Sequence, residues 1–383
     1  MTKNTGNSIF LKQYNRRQLL RLVRELRSVS CTQLSKLSGL TPKSVYEICS
    51  GLISEEYLFE SSIGASRGGR KPILLSIKPN SYYSIGIDIE LNQIKTVLMD
   101  ITGSIKDEFE MTLSSNNYSE YLIAVYDCVL KMLADNCIEK NRLLGIGLSV
   151  AGFIDSNSKH IVMAPNLGWE NRDIISDLKE KLDCEIYLEN EAMASAVCEK
   201  WIGDCINDEN FICINIKSGI GAGLFASNKP FHGAKGSAGE IGHISIVPNG
   251  PLCGCKNRGC LEVLASSSAL IKNAQCLLGE NASLDALICL AQEDNKEALK
   301  IFNDAAEYIG LAILFLVNAF NPSKIIMGKD FVRYAPFELD KIVSKVNTLA
   351  LKPNASAVSI KVSQFGERSS VLGAALLPQK EIF

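Results

Sequence analysis

Apolar residues recur at helical spacing close to the start of the chain. The segment 15–27 carries leucine and valine on one face and arginine on the other, which predicts an amphipathic helix. A second, short helix follows, capped by Ser30 or Thr32 and ended by Gly39, a residue that adopts positive φ readily. Thr41 and Pro42 then begin a third helix, because Thr accepts free amide protons and Pro is tolerated in a first turn.

Helix, short helix, glycine turn and helix form the helix-turn-helix pattern, in which the last helix enters the major groove of DNA. A solvated helical bundle that contacts protein or nothing is the alternative. The residues near the start of the third helix are the candidates for DNA contact: Thr41, Lys43, Ser44, Val45 and Tyr46.

A basic glycine-rich turn at 66–72 lies between an apolar pair at 58–59 and an apolar triplet at 73–75. Strand, basic turn and strand predict a wing, so the element becomes a winged helix-turn-helix. Arg67, Arg70 and Lys71 are placed in that turn to meet phosphate or the minor groove.

The rest of the chain alternates strand and helix patterns. Apolar strands are predicted at 84–89, 95–100, 145–150 and 211–216, with a helix at 118–137, and this alternation favours an α/β fold. Asp88 at a strand end could hold a metal–phosphate complex or could cap a turn. The glycine-rich segment 217–223 could bring backbone amides close to an anion, or could be a plain β-turn.

Charge divides the chain into two unequal parts. Residues 1–80 hold thirteen Lys and Arg against five acids, a net of +8, so the remainder carries −10. A small basic segment on a large acidic body indicates a polyanion-binding appendage. A length of 383 residues predicts two or three domains, and the longest apolar run, 311–320, is too short for a membrane span.

One histidine lies close to three of the thirteen cysteines. His243, Cys253, Cys255 and Cys260 form a ligand set of the Cys3His type that zinc prefers, bracketed by Glu240 and Glu262. Ordinary buried thiols and disulfides are the alternatives. An odd number of cysteines and the lack of a signal peptide favour a reducing, cytoplasmic setting.

The cysteines within apolar periodic segments are predicted to lie in the core: Cys213, Cys276 and Cys289.

Five ordered motifs, together with the wing and the cysteine cluster, resemble the ROK family of repressors and sugar kinases from about Arg16 onward. The motifs are Val150–Asp155, Ala164–Trp169, Leu188–Ala192, Ser218–Gly223 and Gly239–His243. The resemblance implies a two-lobed α/β body of the actin-like ATPase type, with structural zinc on His243 and the three cysteines and a sugar in the cleft.

The domains are therefore expected at 1–80 for the winged helix-turn-helix, 81–200 for the first lobe and 201–383 for the second. The resemblance also implies a sugar-binding set that includes the zinc-bound histidine: Gly152, Asn166, Asn190, Glu191, Glu240, His243 and Glu262.

Three departures from the family's kinases predict that the chain is not an enzyme. Glu90 stands where those kinases have the first of two paired glycines that bind phosphate. Glu191 replaces the aspartate base, and Lys329 replaces the second glycine of a pair near the adenosine. Lys256 replaces a glycine in the cysteine cluster. If φ is positive there, the replacement costs about 1 kcal/mol of stability, but all four ligands remain and zinc binding should survive.

The predicted function is a sugar-responsive transcriptional repressor of carbohydrate-utilisation genes, in which sugar weakens operator binding. It is expected to be a homodimer or homotetramer, since palindromic sites are read by paired heads. The alternatives are an ATP-dependent sugar kinase that retains a DNA-binding head, and a sugar-sensing activator.

Overall fold

The computed structural model describes residues 7–63, 72–155 and 157–383. The N-terminal part, called the head (residues 7–77), has three helices and a three-stranded antiparallel sheet in the order β1-β3-β2. The predicted helices and strands are confirmed, while Arg67, Arg70 and Lys71 lie outside the described residues. The elements of the head are α1 Asn7–Leu26, β1 Val29–Ser30, α2 Cys31–Ser38, α3 Pro42–Ser54, β2 Leu58–Ile63 and β3 Ile73–Ile77.

Local capping explains where the helices of the head begin and end. Ser30 accepts a hydrogen bond from the Gln33 amide, and the Gln33 side chain accepts from the Ser30 amide, which forms a capping box on α2. Gly39 ends α2 with φ of 73°. Thr41 accepts from the Ser44 amide at 3.2 Å and caps α3.

The first lobe (residues 83–190) is built on a five-stranded sheet in the order β11-β7-β4-β5-β6, with a three-stranded sheet β10-β9-β8 beside it. Strands β4, β7 and β11 run parallel, while β4, β5 and β6 form an antiparallel meander. Its elements are β4 Tyr83–Glu90, β5 Gln93–Asp100, β6 Ile105–Thr112, α4 Tyr118–Asp135, β7 Leu143–Val150, β8 Phe153–Ile154, β9 Ile161–Ala164, β10 Trp169–Arg172, α5 Ile174–Lys179 and β11 Ile186–Asn190.

The second lobe (residues 211–362) has its own five-stranded sheet, in the order β14-β13-β12-β15-β16. Helix α6, Glu191–Ile202, leads into it and α13, Ser369–Lys380, follows it. Its elements are β12 Phe211–Ile216, β13 Ile220–Ala226, β14 Lys229–Pro230, α7 Leu261–Ala265, α8 Ser267–Leu278, α9 Leu284–Gln292, α10 Lys296–Phe320, β15 Lys324–Lys329, α11 Phe331–Leu349, α12 Lys352–Ala357 and β16 Ser359–Val362.

Helices α6 and α13 form a layer between the two large sheets, and their side chains share a hydrophobic cluster with strands of both. Glycine allows this layer to pack closely. A Cβ on Gly147 of β7 would lie 1.8 Å from the Ala374 carbonyl oxygen, and one on Gly373 would lie 1.7 Å from that of Ala194. Helix α13 thus packs on the first-lobe sheet although it follows the second lobe in the sequence.

Helix α10 is the long central helix of the second lobe. Within the described ranges, it alone is long and apolar enough to cross a membrane, and half of its apolar window is buried, as a core helix requires. Two of the cysteines predicted as core were assigned wrongly: Cys213 is buried, but Cys276 and Cys289 are exposed. Each lies on an amphipathic helix just outside its buried stripe. The apolar pattern indicated a buried face, but these two cysteines lie beside that face and not on it.

The head packs on the body through aromatic residues. The Arg24 guanidinium of α1 lies 4.2 Å from the centre of the Trp201 ring at the end of α6, and 4.6 Å from that of Phe383. Burial lowers the pKa of Arg24 to about 10. Tyr82 stacks on Tyr57 of the head at 4.3 Å, so head and body share a continuous interface.

Candidate functional site

The exposed start of helix α3 is the predicted DNA-contact surface. Lys43 and Tyr46 project into solvent, with the Lys43 side chain 86% exposed and Tyr46 67% exposed. Thr41 is also exposed, and Ser44 is half-buried with its hydroxyl 2.9 Å from that of Thr41. Val45 is a correction: it is 0% exposed in the core of the head, because the helix turns it toward α1 and α2.

Not every arginine of the basic head is available to a polyanion. Arg16 donates to both carboxylate oxygens of Glu55, at 2.8 and 2.5 Å, and Arg24 is buried against the body. A polyanion would therefore meet the exposed cations of the head, such as Lys43.

The histidine and the three cysteines predicted from the sequence come together in space. The ligand atoms of His243, Cys253, Cys255 and Cys260 all lie within 4.8 Å of one another. His243 Nδ1 is 3.7 Å from Cys253 Sγ, and Cys255 Sγ is 3.6 Å from Cys260 Sγ. A tetrahedral zinc with bonds of about 2.0–2.3 Å places neighbouring ligands about 3.5–3.8 Å apart, so the group fits a metal of this kind.

Lys256 has φ of 73°, in the left-handed region, within the turn that joins the second and third cysteines. The positive φ on which the predicted cost of the glycine replacement depended is therefore present, and a residue with a Cβ occupies strained backbone here. Its amide donates to the Cys253 carbonyl at 2.9 Å, which keeps the turn closed.

Asn190 holds two of the predicted sugar-binding segments in place. Its Oδ1 accepts from the amides of Ala192 and Met193 at the start of α6, and its Nδ2 donates to the Gly152 carbonyl at 2.9 Å. One amide proton of Asn190 is left for a ligand. The side chain thus ties the start of α6 to the turn at Gly152.

Two more of the predicted residues, Glu240 and Glu262, lie beside the cysteine cluster and are partly exposed. Burial raises the pKa of Glu240. The nearby His243 acts to lower this pKa, and the carboxylate of Glu262 raises it further. Glu262 Oε2 accepts from the Ile220 amide at 3.3 Å, in the glycine-rich segment. Asn166 lies on an exposed turn after β9, and within the described part of the chain no hydrogen bond joins it to the others.

Glu191, the last predicted sugar residue, belongs to a buried ionic cluster that sequence reasoning did not find. The Lys329 Nζ atom lies 2.9 Å from Glu191 Oε1, 3.4 Å from Asp88 Oδ2 and 3.7 Å from Glu90 Oε1. It also donates to the Ser370 hydroxyl at 2.6 Å, and its side chain is 0% exposed.

Two further lysines complete this cluster. Lys217 lies 2.8 Å from Glu90 and 3.2 Å from Glu367, while Lys95 lies 3.4 and 3.1 Å from the same two carboxylates. Lys217 is the first residue of the glycine-rich segment that is a candidate for anion binding. Its ammonium contacts carboxylates of the protein itself. The sequence holds one indication of this cluster, because Lys329 stands where the family's kinases have a glycine. The acidic partners of Lys329 are distant in the sequence and could not be predicted.

The electrostatics of the cluster favour a charged lysine. Burial lowers the pKa of Lys329, but the carboxylates of Glu191 and Asp88 outweigh it, and the pKa is raised. Burial raises the pKa of Glu191, against the pull of Lys329. The Lys329 ammonium therefore stays charged among these carboxylates.

Comparison with known proteins places these features in context. A profile of the ROK family matches residues 84–381. The chain is 32% identical over 368 residues to the xylose repressor of Bacillus subtilis, which spans 96% of this chain and 95% of that protein.

Two solved structures share the architecture. A ROK family transcriptional regulator that is a homologue of the E. coli MLC protein superposes with a TM-score of 0.86 at 22% identity, over 97% of this chain and 96% of that one. A ROK family glucokinase from Streptomyces griseus, in complex with glucose and AMPPNP, superposes with a TM-score of 0.68 at 26% identity. It covers 78% of this chain and 99% of the glucokinase.

Proposed function

This chain belongs to the ROK family, and we propose that it is a sugar-responsive transcriptional repressor of carbohydrate-utilisation genes. The observation that carries the proposal is a head with an exposed helix start, packed continuously on a body that resembles a sugar kinase. The glucokinase accounts for only 78% of the chain, whereas the xylose repressor of B. subtilis matches 96% of it.

Operator DNA is bound by the head, a winged helix-turn-helix. The start of α3 enters the major groove and reads base edges, and the basic turn of the wing contacts phosphate or the minor groove. The residues assigned to these contacts are Thr41, Lys43, Ser44, Tyr46, Arg67, Arg70 and Lys71.

The effector is an unphosphorylated sugar bound in the cleft between the lobes. Carboxylates and amides suit vicinal hydroxyls because they satisfy them in both donor and acceptor directions. Xylose is the first candidate, given the named relative. The assigned residues are Gly152, Asn166, Asn190, Glu191, Glu240, His243 and Glu262.

Structural zinc is assigned to His243, Cys253, Cys255 and Cys260. A closed set of four protein ligands cross-links a loop and leaves no open coordination position. Because Nδ1 of His243 faces Cys253, its Nε2 is left to face the sugar. Metal and effector would then share one side chain, and Glu240 and Glu262 would be held beside it.

A sugar kinase is the second candidate, and the buried cluster argues against it. Glu90 and Lys329 occupy positions where the family's kinases have glycine, and Lys329 takes up the carboxylate of Glu191 at the position of the base. We therefore assign no enzymatic activity to this chain. A homodimer or homotetramer in the cytoplasm is the expected form, since paired heads read palindromic sites.

The test uses the full-length, zinc-loaded protein. Operator sequences are selected from random duplex DNA, and binding of a labelled operator is followed by fluorescence anisotropy with and without xylose and a panel of hexoses and amino sugars. Sugar is expected to weaken operator binding. Equal operator affinity in the presence of every sugar that binds the cleft would refute the proposal, and sugar-dependent tightening would indicate an activator.

A coupled ADP-release assay on the same panel tests the kinase alternative. No turnover is expected. Turnover that is abolished by Glu191→Gln would establish the second candidate instead.

A further inference from the structure

We propose that Lys329 is a built-in cation that occupies a divalent-metal position among Asp88, Glu90 and Glu191, so that the cleft functions without metal or nucleotide. The inference deepens the proposed function and rests on it only for its consequence for sugar binding. It is drawn from the arrangement of charges in the cleft.

The three acids have the arrangement of a metal site. One carboxylate oxygen from each of Asp88, Glu90 and Glu191 lies within 4.8 Å of the others. Oxygen clusters of this kind suit Mg²⁺ and Mn²⁺. Each of the three acids, however, has a carboxylate oxygen within 3.7 Å of the Lys329 ammonium, so a cation of the protein already lies among them.

The Lys329 ammonium is fully satisfied where it lies. Besides the carboxylates, the Ser370 hydroxyl accepts from it at 2.6 Å and the Glu367 carbonyl at 3.3 Å. An ammonium has three protons to donate, and these partners account for all of them. Lys329 ends strand β15 with φ of 58°, a left-handed conformation that strains a residue with a Cβ, so the contacts of its side chain must offset that strain.

A dication at the same position would lie within a few ångströms of the ammonium and be repelled by it. The two neighbouring lysines, Lys217 and Lys95, already neutralise Glu90 and Glu367. The cluster therefore offers a metal little net negative charge as long as Lys329 is present.

Lys329 also connects different parts of the protein. Asp88 and Glu90 belong to the first-lobe sheet, Glu191 begins α6, and Ser370 lies in α13, while Lys329 itself ends a second-lobe strand. The ionic contacts thus connect both lobes and the helical layer between them. Lys329 also orients the carboxylate of Glu191, which makes it a positioning residue for the proposed sugar site.

The experiment replaces Lys329 with methionine, which has a similar length and no charge. Mn²⁺ binding to the full-length, zinc-loaded protein is measured by electron paramagnetic resonance and by calorimetry, with Lys329→Arg as the conservative variant. Lys341→Met is the matched control, because Lys341 contacts only Glu307 and the Asn303 carbonyl among the described residues, away from the cleft.

We expect Lys329→Met to bind one Mn²⁺ at least tenfold more tightly than wild type, and Lys329→Arg and Lys341→Met to behave like wild type. Adding Asp88→Asn to the Lys329→Met variant should abolish the gain. Wild-type protein that binds Mn²⁺ as tightly as Lys329→Met, or a folded Lys329→Met protein that gains no Mn²⁺, would overturn the inference.

If Lys329→Met does not fold, the double variant with Asp88→Asn removes one charge of each sign and should recover the folded state. Failure of the double variant to fold would also overturn the inference, because charge would not explain the defect. Neither readout involves DNA or sugar. Failure of the proposed function is therefore detected separately, by the operator titration.

Discussion

The interface between head and body offers a sharp test of how the sugar signal reaches the DNA. Arg24→Met keeps an unbranched apolar stem between Trp201 and Phe383 but removes the planar cation. Two ring contacts to a desolvated guanidinium contribute about 1–2 kcal/mol each. The fall in the pKa of Arg24 from 12.5 to about 10 indicates a burial cost of about 3 kcal/mol, so the two effects nearly cancel.

The free energy of unfolding should therefore change by less than about 1 kcal/mol, whereas the position of the head should be less well fixed. Trp201 lies in the last turn of α6, and Glu191 at the other end of the same helix belongs to the buried ionic cluster. Residues between coupled sites alter the coupling by about 0.5–2 kcal/mol. The ratio of operator affinities without and with sugar should thus fall by roughly two- to thirtyfold.

The assay is operator anisotropy with and without the effector sugar, beside a thermal unfolding curve. Arg21→Met is the control, since Arg21 lies on the same helix but is 65% exposed and pairs only with Glu25 among the described residues. An Arg24→Met protein with the full sugar response would refute a coupling role for this contact. If Arg24→Met lowered the free energy of unfolding by several kcal/mol, the ring contacts and the burial cost of Arg24 would not cancel as argued.

Three further outcomes are expected. Cys255→Ser should lose the bound zinc and lower the thermal midpoint while the exposed Cys276→Ser keeps both, as measured by elemental analysis and calorimetry; a full equivalent of zinc in Cys255→Ser would contradict the assigned ligands. Lys43→Ala should weaken operator binding and reduce its salt dependence without destabilising the head, whereas the buried Val45→Ala should lower the free energy of unfolding by about 1–3 kcal/mol in a denaturant titration. Burial raises the pKa of Glu338, whose carboxylate has no hydrogen-bond partner in the described part of the chain. The free energy of unfolding should therefore fall by about 1.4 kcal/mol for each pH unit from about 4.5 up to the raised pKa, because the unfolded chain ionises there and the buried carboxyl does not. Glu338→Gln should lack this fall, and a pH profile equally steep in the variant would contradict this.

The parts of this fold that depend on neighbouring residues were predictable from the sequence. Caps at Ser30 and Thr41 and the turn at Gly39 lie where the pattern placed them, because their partners are three or four residues away. The metal group was predictable for the same reason: its cysteines are closely spaced, and the histidine is only ten residues from the first of them.

Features that depend on distant partners were not predictable. Nothing near Lys329 reveals that Asp88 and Glu191 converge on it, since β4, α6 and β15 meet only after the sheets form. Val45 was misassigned for a related reason. Periodicity defines an apolar face of α3, but the packing of α1 and α2 decides which residues at its edge are covered.

The contact between Arg24 and Phe383 joins residues separated by nearly the whole chain. During synthesis the head emerges before the segments of the body that pack on it. Its surface around Arg24 then stays uncovered until α6 and the residues after α13 have been translated and packed. A nascent or truncated chain would thus lack the contacts that fix the position of the head on the body.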